Sequence, residues 1–175
     1  MRAVFFDRDN TLTIDEGYCH KVSEFAWMKG AEAALARLHA AQIPVFIVTN
    51  QGGIARGLFG EDDMIRFHDH LCDKAQEAGG HITDIAFCPH HPQSPDETMR
   101  SCACRKPEAG LLLALAAKWD IDLANSVMIG DRDSDVIAGK RAGCHAYLSD
   151  KNSVLDDLVK QIIETHFTTT PSAKV

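Results

Sequence analysis

Five short apolar runs, spaced along the chain and each bounded by polar or turn residues, constrain the fold more than anything else in the sequence. They cover residues 3–6, 43–48, 84–88, 126–129 and 143–148. Runs of this length, rich in β-branched and aromatic side chains, suit strands buried on both faces. Between them lie segments with apolar residues at helical spacing: 30–41, 61–78, 107–119, a stretch holding Val136, Ile137 and Ala138, and 154–163. Strands alternating with helices predict an α/β fold with a doubly wound parallel sheet. Such sheets bind ligands outside the carboxyl ends of their strands. The residues that follow each run are therefore the ones to inspect.

Asp7-Arg8-Asp9-Asn10-Thr11 follows the first run. Two carboxylates two residues apart suit a nucleophile, a proton donor and a hard-cation site in one loop. Thr49-Asn50-Gln51-Gly52-Gly53 follows the second, and Arg56 extends that loop. A hydroxyl and the exposed N–H groups of a glycine-rich turn can grip a phosphoryl oxygen. After the fourth run, Gly130-Asp131-Arg132-Asp133-Ser134-Asp135 carries three acids in five residues. Helix capping accounts for one or two of them; the set reads as cation ligands. The loop over residues 13–25 leaves the first strand's rim and reaches over it with Asp15, Glu16, Gly17 and Tyr18.

The third run ends in Cys88-Pro89-His90-His91, and Cys102-Ala103-Cys104 follows. Thiolate and imidazole are the ligands zinc prefers, and four of them close a tetrahedral structural site. Residues 93–101 have little apolar content to order them by packing, which gives a metal clip something to hold. The expected zinc ligands are Cys88, His90, Cys102 and Cys104, with His91 as the substitute for His90. His68 and Cys72 lie on the apolar stripe of the 61–78 helix and read as core. Arg105-Lys106-Pro107 comes next, with Pro107 favourable in a first helical turn. Two cations at a helix N-terminus oppose its dipole, so an anion is expected there.

A formal charge of −7 argues against nucleic acid or an anionic membrane as partner. No apolar run approaches membrane-spanning length, and the N-terminus reads as no secretory signal. The chain is read as cytoplasmic, where its six cysteines would be reduced. One domain over residues 1–165 is expected, with a frayed tail over 166–175, and a monomer.

Taken in order, D-x-D-x-T, T-N, K-P and G-D-x-x-x-D, each near a strand end, resemble the haloacid dehalogenase superfamily of phosphohydrolases. The loop motifs from Asp15 to Tyr18, the Gly53–Gly57 stretch and the cysteine loop are similar to a small zinc-containing branch of it. That branch holds the heptose-bisphosphate and histidinol-phosphate phosphatases. The likeness covers roughly residues 3–148. It departs at Asn10, where the family usually has Gly; Asn tolerates a left-handed backbone. The resemblance implies a Rossmann-like core without a large cap domain. It implies Asp7 as nucleophile, Asp9 as general acid and base, and Thr49 and Lys106 as phosphoryl-binding groups. It implies Mg²⁺ held by the Asp7 carboxylate, the Asp9 backbone carbonyl and Asp131, with Asp135 supporting that shell. Asp15, Glu16, Gly17, Tyr18, Asn50, Gln51, Gly52, Arg56, Arg105 and Arg132 are the implied substrate contacts. The implied substrate is a small sugar phosphate, a heptose 1,7-bisphosphate cleaved at its 7-phosphate, within lipopolysaccharide sugar metabolism; histidinol phosphate and other sugar phosphates are the alternatives. A receiver domain also carries acids, a Thr and a Lys at strand ends, but usually has its phosphorylated Asp after a later strand. Here the D-x-D pair follows the first.

Overall fold

The computed structural model describes residues 1–168. Five parallel strands form one sheet in the order β3-β2-β1-β4-β5: β1 (Val4–Phe6), β2 (Val45–Asn50), β3 (Asp84–Cys88), β4 (Val127–Gly130) and β5 (His145–Leu148). The register sets Phe6 beside Ile47 and Ile129, so the residues after β1, β2 and β4 leave the sheet along one edge. Five α-helices cross over between strands or follow the last: α1 (Ala31–Ala40), α2 (Glu61–Glu77), α3 (Gly110–Trp119), α4 (Asp133–Ala142) and α5 (Leu155–Ile162).

Side-chain alternation along the strands divides the core into two layers. Val4, Phe6, Val45, Ile47, Val127 and Ile129 pack against Leu35 and Leu38 of α1, Leu71 of α2 and Val159 of α5. Phe5, Phe46, Val48 and Met128 point the other way, onto Leu112 and Leu115 of α3 and Ala138 of α4. Central strands buried on both faces explain the unbroken apolar runs.

Three points differ from the expectation. The helix expected from Pro107 begins at Gly110. Residues 103–109 are instead tied into turns, with Glu108 N–H donating to Arg105 O at 2.8 Å and Gly110 N–H to Ala103 O at 3.1 Å. Arg105 and Lys106 therefore precede the helix, and the dipole argument for an anion there does not apply. Asp133 is exposed in the first turn of α4 and lies outside the carboxylate cluster described below. It complements the helix dipole. At the other end, a π-helical turn over Ile163–Phe167 follows α5. The Tyr147 hydroxyl bonds His166 Nε2 at 2.6 Å and Phe167 packs on the core, so ordered chain passes the boundary expected at 165. The rest of the expected tail, residues 169–175, lies outside the described residues.

Candidate active site

A cleft of about 290 Å³ opens at the carboxyl edge of the sheet. Asp7, Asp9, Asp15, Gly17, Tyr18, Asn50, Gln51, Gly52, Arg105, Lys106, Arg132 and Asp135 line it, with His91 and Ser134, two residues not expected there.

Lys106 is the centre of the floor. Its Nζ lies 2.5 Å from Asp7 Oδ1 and 2.6 Å from Asp135 Oδ1, and donates to Val48 O at 2.7 Å. The side chain is 2% exposed. Burial alone would lower its pKa, but Asp7 and Asp135 more than offset that and hold the ammonium charged. For Asp7 burial is the stronger influence. Burial pushes its carboxyl up to about 7; Lys106 opposes, while Asp135 and Asp9 add to the rise.

Asn50 fixes the Lys106 backbone. Its Nδ2 donates to Lys106 O and its Oδ1 accepts from Lys106 N–H, both at 3.0 Å. Both ends of the carboxamide are thereby committed, so Asn50 positions the lysine rather than contacting substrate through those atoms. Gln51 is committed too: Nε2 donates to Asp9 Oδ2 at 2.9 Å and to Thr49 Oγ1 at 2.8 Å. Thr49 is fully buried and is not among the cleft-lining residues. Glu16 and Arg56 also do not line the cleft. Arg56 sits outside, over the Tyr18 ring at 5.3 Å, with its Nη1 bonded to the Tyr18 hydroxyl. Tyr18 is a cleft wall, so Arg56 acts on that wall.

The carboxylates of Asp7, Asp131 and Asp135 each bring an oxygen within 4.8 Å of the others. Among the described residues, Asp131 Oδ1 is buried with no hydrogen-bond partner. An orphaned oxygen in a group of three acids fits a hard divalent cation, which takes oxygen ligands. Gly130 allows this crowding: a Cβ there would fall 2.3 Å from Asp135 Cβ. Asp135 Oδ2 also accepts from Arg132 N–H at 3.0 Å, tying it to the start of α4.

A second cluster stands beside the cleft. Cys88, His90, Cys102 and Cys104 offer ligand atoms all within 4.8 Å of one another. His90 Nδ1 faces Cys88 Sγ at 3.6 Å and Cys104 Sγ at 3.5 Å, and Cys88 Sγ is 3.5 Å from Cys102 Sγ. Three sulfurs and one nitrogen at these separations suit tetrahedral zinc. His91 is not in the cluster; it faces the cleft instead, and its Nδ1 accepts from Gln93 N–H at 3.1 Å. The cluster reaches the cleft through Arg105, whose Nη1 donates to His90 O at 2.9 Å.

The loop after β1 keeps its shape with Asn10. That residue adopts φ +58°, the left-handed conformation Gly would supply. Its Oδ1 then accepts from Asp15 N–H at 3.2 Å, and Asp15 Oδ1 accepts from Cys19 N–H at 2.7 Å. Asp15 thus braces the loop carrying Tyr18. Sequence reasoning passed over Arg8, which is 1% exposed and contacts Asp9. A full-length cation between two functional acids was the available signal. It also placed His68 in the core without seeing its partner: His68 Nε2 lies 3.2 Å from Arg8 Nη1.

The fold and this edge, with paired acids after β1, a lysine bridging carboxylates and an acid cluster after β4, define a phosphohydrolase of the haloacid dehalogenase type. A family model described as HAD-hydrolase-like matches residues 103–168. The chain is 40% identical over 162 residues to the D-glycero-β-D-manno-heptose-1,7-bisphosphate 7-phosphatase of Rhodopseudomonas palustris, covering 92% of this chain and 89% of that one. It is 34% identical over 144 residues to the α-anomer enzyme of Photorhabdus laumondii, covering 82% and 79%. The crystal structure of D,D-heptose 1,7-bisphosphate phosphatase from B. bronchiseptica, complexed with magnesium and phosphate, superposes with a TM-score of 0.82 at 30% identity, covering 94% and 99%. The chain belongs to the heptose-1,7-bisphosphate 7-phosphatase family of HAD-like hydrolases and is a phosphatase.

Proposed function

We propose that this phosphatase removes the 7-phosphate of D-glycero-β-D-manno-heptose 1,7-bisphosphate. The observation that carries the reading is the union, in one cleft, of an acid pair, a lysine-bridged acid cluster and two further cations, Arg105 and Arg132. One phosphoryl group would engage Lys106 and a divalent cation held by Asp7, Asp131 and Asp135. Arg105 and Arg132 remain for a second phosphate, and they would repel the ammonium of histidinol phosphate. The higher identity to the β-anomer relative supports that anomer over the α.

Asp7 attacks phosphorus, forming an aspartyl-phosphate and releasing the C7 alkoxide. Asp9, bordering the same cleft, protonates that oxygen as it leaves and then takes a proton from the water that hydrolyses the intermediate. Lys106 holds Asp7 in place and offsets charge on the phosphoryl oxygens. Asp7, Asp131 and Asp135 would hold Mg²⁺, which supplies further charge neutralisation when bound. Cys88, His90, Cys102 and Cys104 would hold zinc with four protein ligands, which would leave no open position and make its role structural.

A panel of kcat/KM values over both heptose 1,7-bisphosphate anomers, histidinol phosphate and fructose 1,6-bisphosphate tests the substrate. The β-anomer should lead. A tenfold lead for histidinol phosphate, about 1.4 kcal/mol of transition-state preference, would overturn the reading.

A further inference from the structure

Arg8 is buried, and all three nitrogens of its guanidinium have polar partners. Its Nε donates to Asp9 Oδ1 at 2.8 Å, and its Nη2 lies 2.7 Å from the same oxygen. Nη2 also donates to Cys19 O at 2.9 Å and to Gln51 Oε1 at 3.2 Å. Nη1 meets His68 Nε2 at 3.2 Å, and the guanidinium lies over the Phe67 ring at 4.7 Å. A guanidinium only donates, so His68 must accept at Nε2 and carry its proton on Nδ1. Gln51 completes a ring: its Nε2 donates to Asp9 Oδ2 and its Oε1 accepts from Arg8.

Both oxygens of Asp9 are thus held by side chains that are themselves held, one from above α2 and one from the β2 loop. A buried cation is costly unless paired and hydrogen-bonded. Packing alone would be served by an apolar residue beside Phe67. What the guanidinium adds is directional: it fixes the carboxylate of a residue bordering the cleft in one orientation. We infer that Arg8, with Gln51, is a positioning residue that aims the Asp9 carboxyl at the leaving-group oxygen. The inference rests on the general-acid role of Asp9 proposed above.

Leaving-group dependence separates positioning from mere structural support. The parameter kcat/KM reports events only up to the first irreversible step, release of the alcohol. An alkyl leaving group needs the proton from Asp9, whereas p-nitrophenolate departs with little help. The experiment compares kcat/KM for a heptose or fructose bisphosphate with that for p-nitrophenyl phosphate, in wild type, Arg8→Lys, Arg8→Met, Gln51→Met and Asp9→Asn. General acid catalysis contributes about 10²–10⁴-fold, so Asp9→Asn should cost the sugar phosphate at least a hundredfold more than the aryl ester. The Arg8 and Gln51 variants should show the same bias at tenfold or more, Arg8→Lys least among the Arg8 pair. Near-ultraviolet circular dichroism reports folding; should the Arg8 variants unfold, Gln51→Met, which leaves the Arg8–Asp9 pair intact, decides the matter. Equal losses on both substrates in the folded Arg8 and Gln51 variants, or none, would overturn the inference while Asp9→Asn still showed the bias. Loss of the bias in Asp9→Asn itself would instead remove the acid assignment, and the inference with it.

Discussion

Chelating the zinc proposed for the cysteine cluster should disable the enzyme without unfolding its core. Between Cys88 and Cys102 only Ser94 is buried, so apolar packing contributes little to this loop. Most of its internal hydrogen bonds close local turns, such as Ser94 N–H to His91 O at 2.9 Å and Met99 N–H to Asp96 O at 3.1 Å. His91 N–H to Met99 O and Arg100 Nε to Ser94 O, both at 2.9 Å, span more of the loop, and Ser94 Oγ ties it to Ala55 O at 2.8 Å. With so little apolar burial to offset ordering more than ten residues at about 1–2 kcal/mol each, the loop should open without a metal. Cross-linking a loop of about 15 residues recovers about 3 kcal/mol of closure entropy alone, and the ligand bonds add to that. Opening releases His90 O from Arg105 and lets the segment leading to Lys106 move. The test is metal analysis, limited proteolysis and kcat/KM before and after chelation under reducing conditions. About one zinc per chain is expected; its removal should expose residues 89–101 to cleavage and lower kcat/KM at least tenfold, with little change in core unfolding. Burial pushes the Cys88 and Cys104 thiols up, so binding must displace protons and zinc retention should weaken as pH falls. A metal-free protein with a protected loop and full activity would refute the reasoning.

Asp7→Asn should abolish turnover and covalent phosphate incorporation, measured with labelled substrate; activity within about tenfold of wild type, about 1.4 kcal/mol of barrier, would sink the nucleophile assignment. Asn50→Leu should leave the Lys106 peptide groups unpaired, at about 1–3 kcal/mol for each group that stays buried, lowering both kcat and the melting temperature; Asn50→Asp, which keeps the acceptor, should lose less. Burial, with Arg8 beside it, pushes the His68 imidazole down to about 3. The unfolded chain then binds one more proton than the folded chain between that value and the ordinary histidine pKa of about 6.5. Stability should therefore fall with acidification below about pH 6.5, by up to about 1.4 kcal/mol per pH unit from this group. Urea titrations of His68→Gln at pH 6.5 and 5 should show a shallower dependence than wild type; identical slopes would refute the assignment.

The parallel sheet was legible because its central strands are buried on both faces and leave unbroken apolar runs. The strand ends were legible too: the apolar runs give way abruptly to polar side chains at Asp7, Thr49 and Asp131. What failed was local and concerned hydrogen bonds. Pro107 reads as a helix start by propensity, yet the turn that closes the cysteine hairpin onto Ala103 claims residues 105–109 first. Asp133 and Asp135 look equivalent in sequence, but only Asp135 faces Lys106; the helical rotation between them decides that.

The division within the site follows from the same logic. Residues whose chemistry is intrinsic, such as the D-x-D acids or the cysteines, announce themselves by type and spacing. Residues whose task is to hold others do not, because any side chain with a donor and an acceptor could serve. The family resemblance implies Asn50 and Gln51 as substrate contacts; in the fold their carboxamides point to Lys106 and Asp9. Arg8 lies between the two acids that attract most attention, but its partners come from residues 19, 51 and 68. A pattern confined to one strand end has no access to contacts of that sequence separation. The reach of Arg8 across two loops and α2 is what ties separate strand ends into one active site.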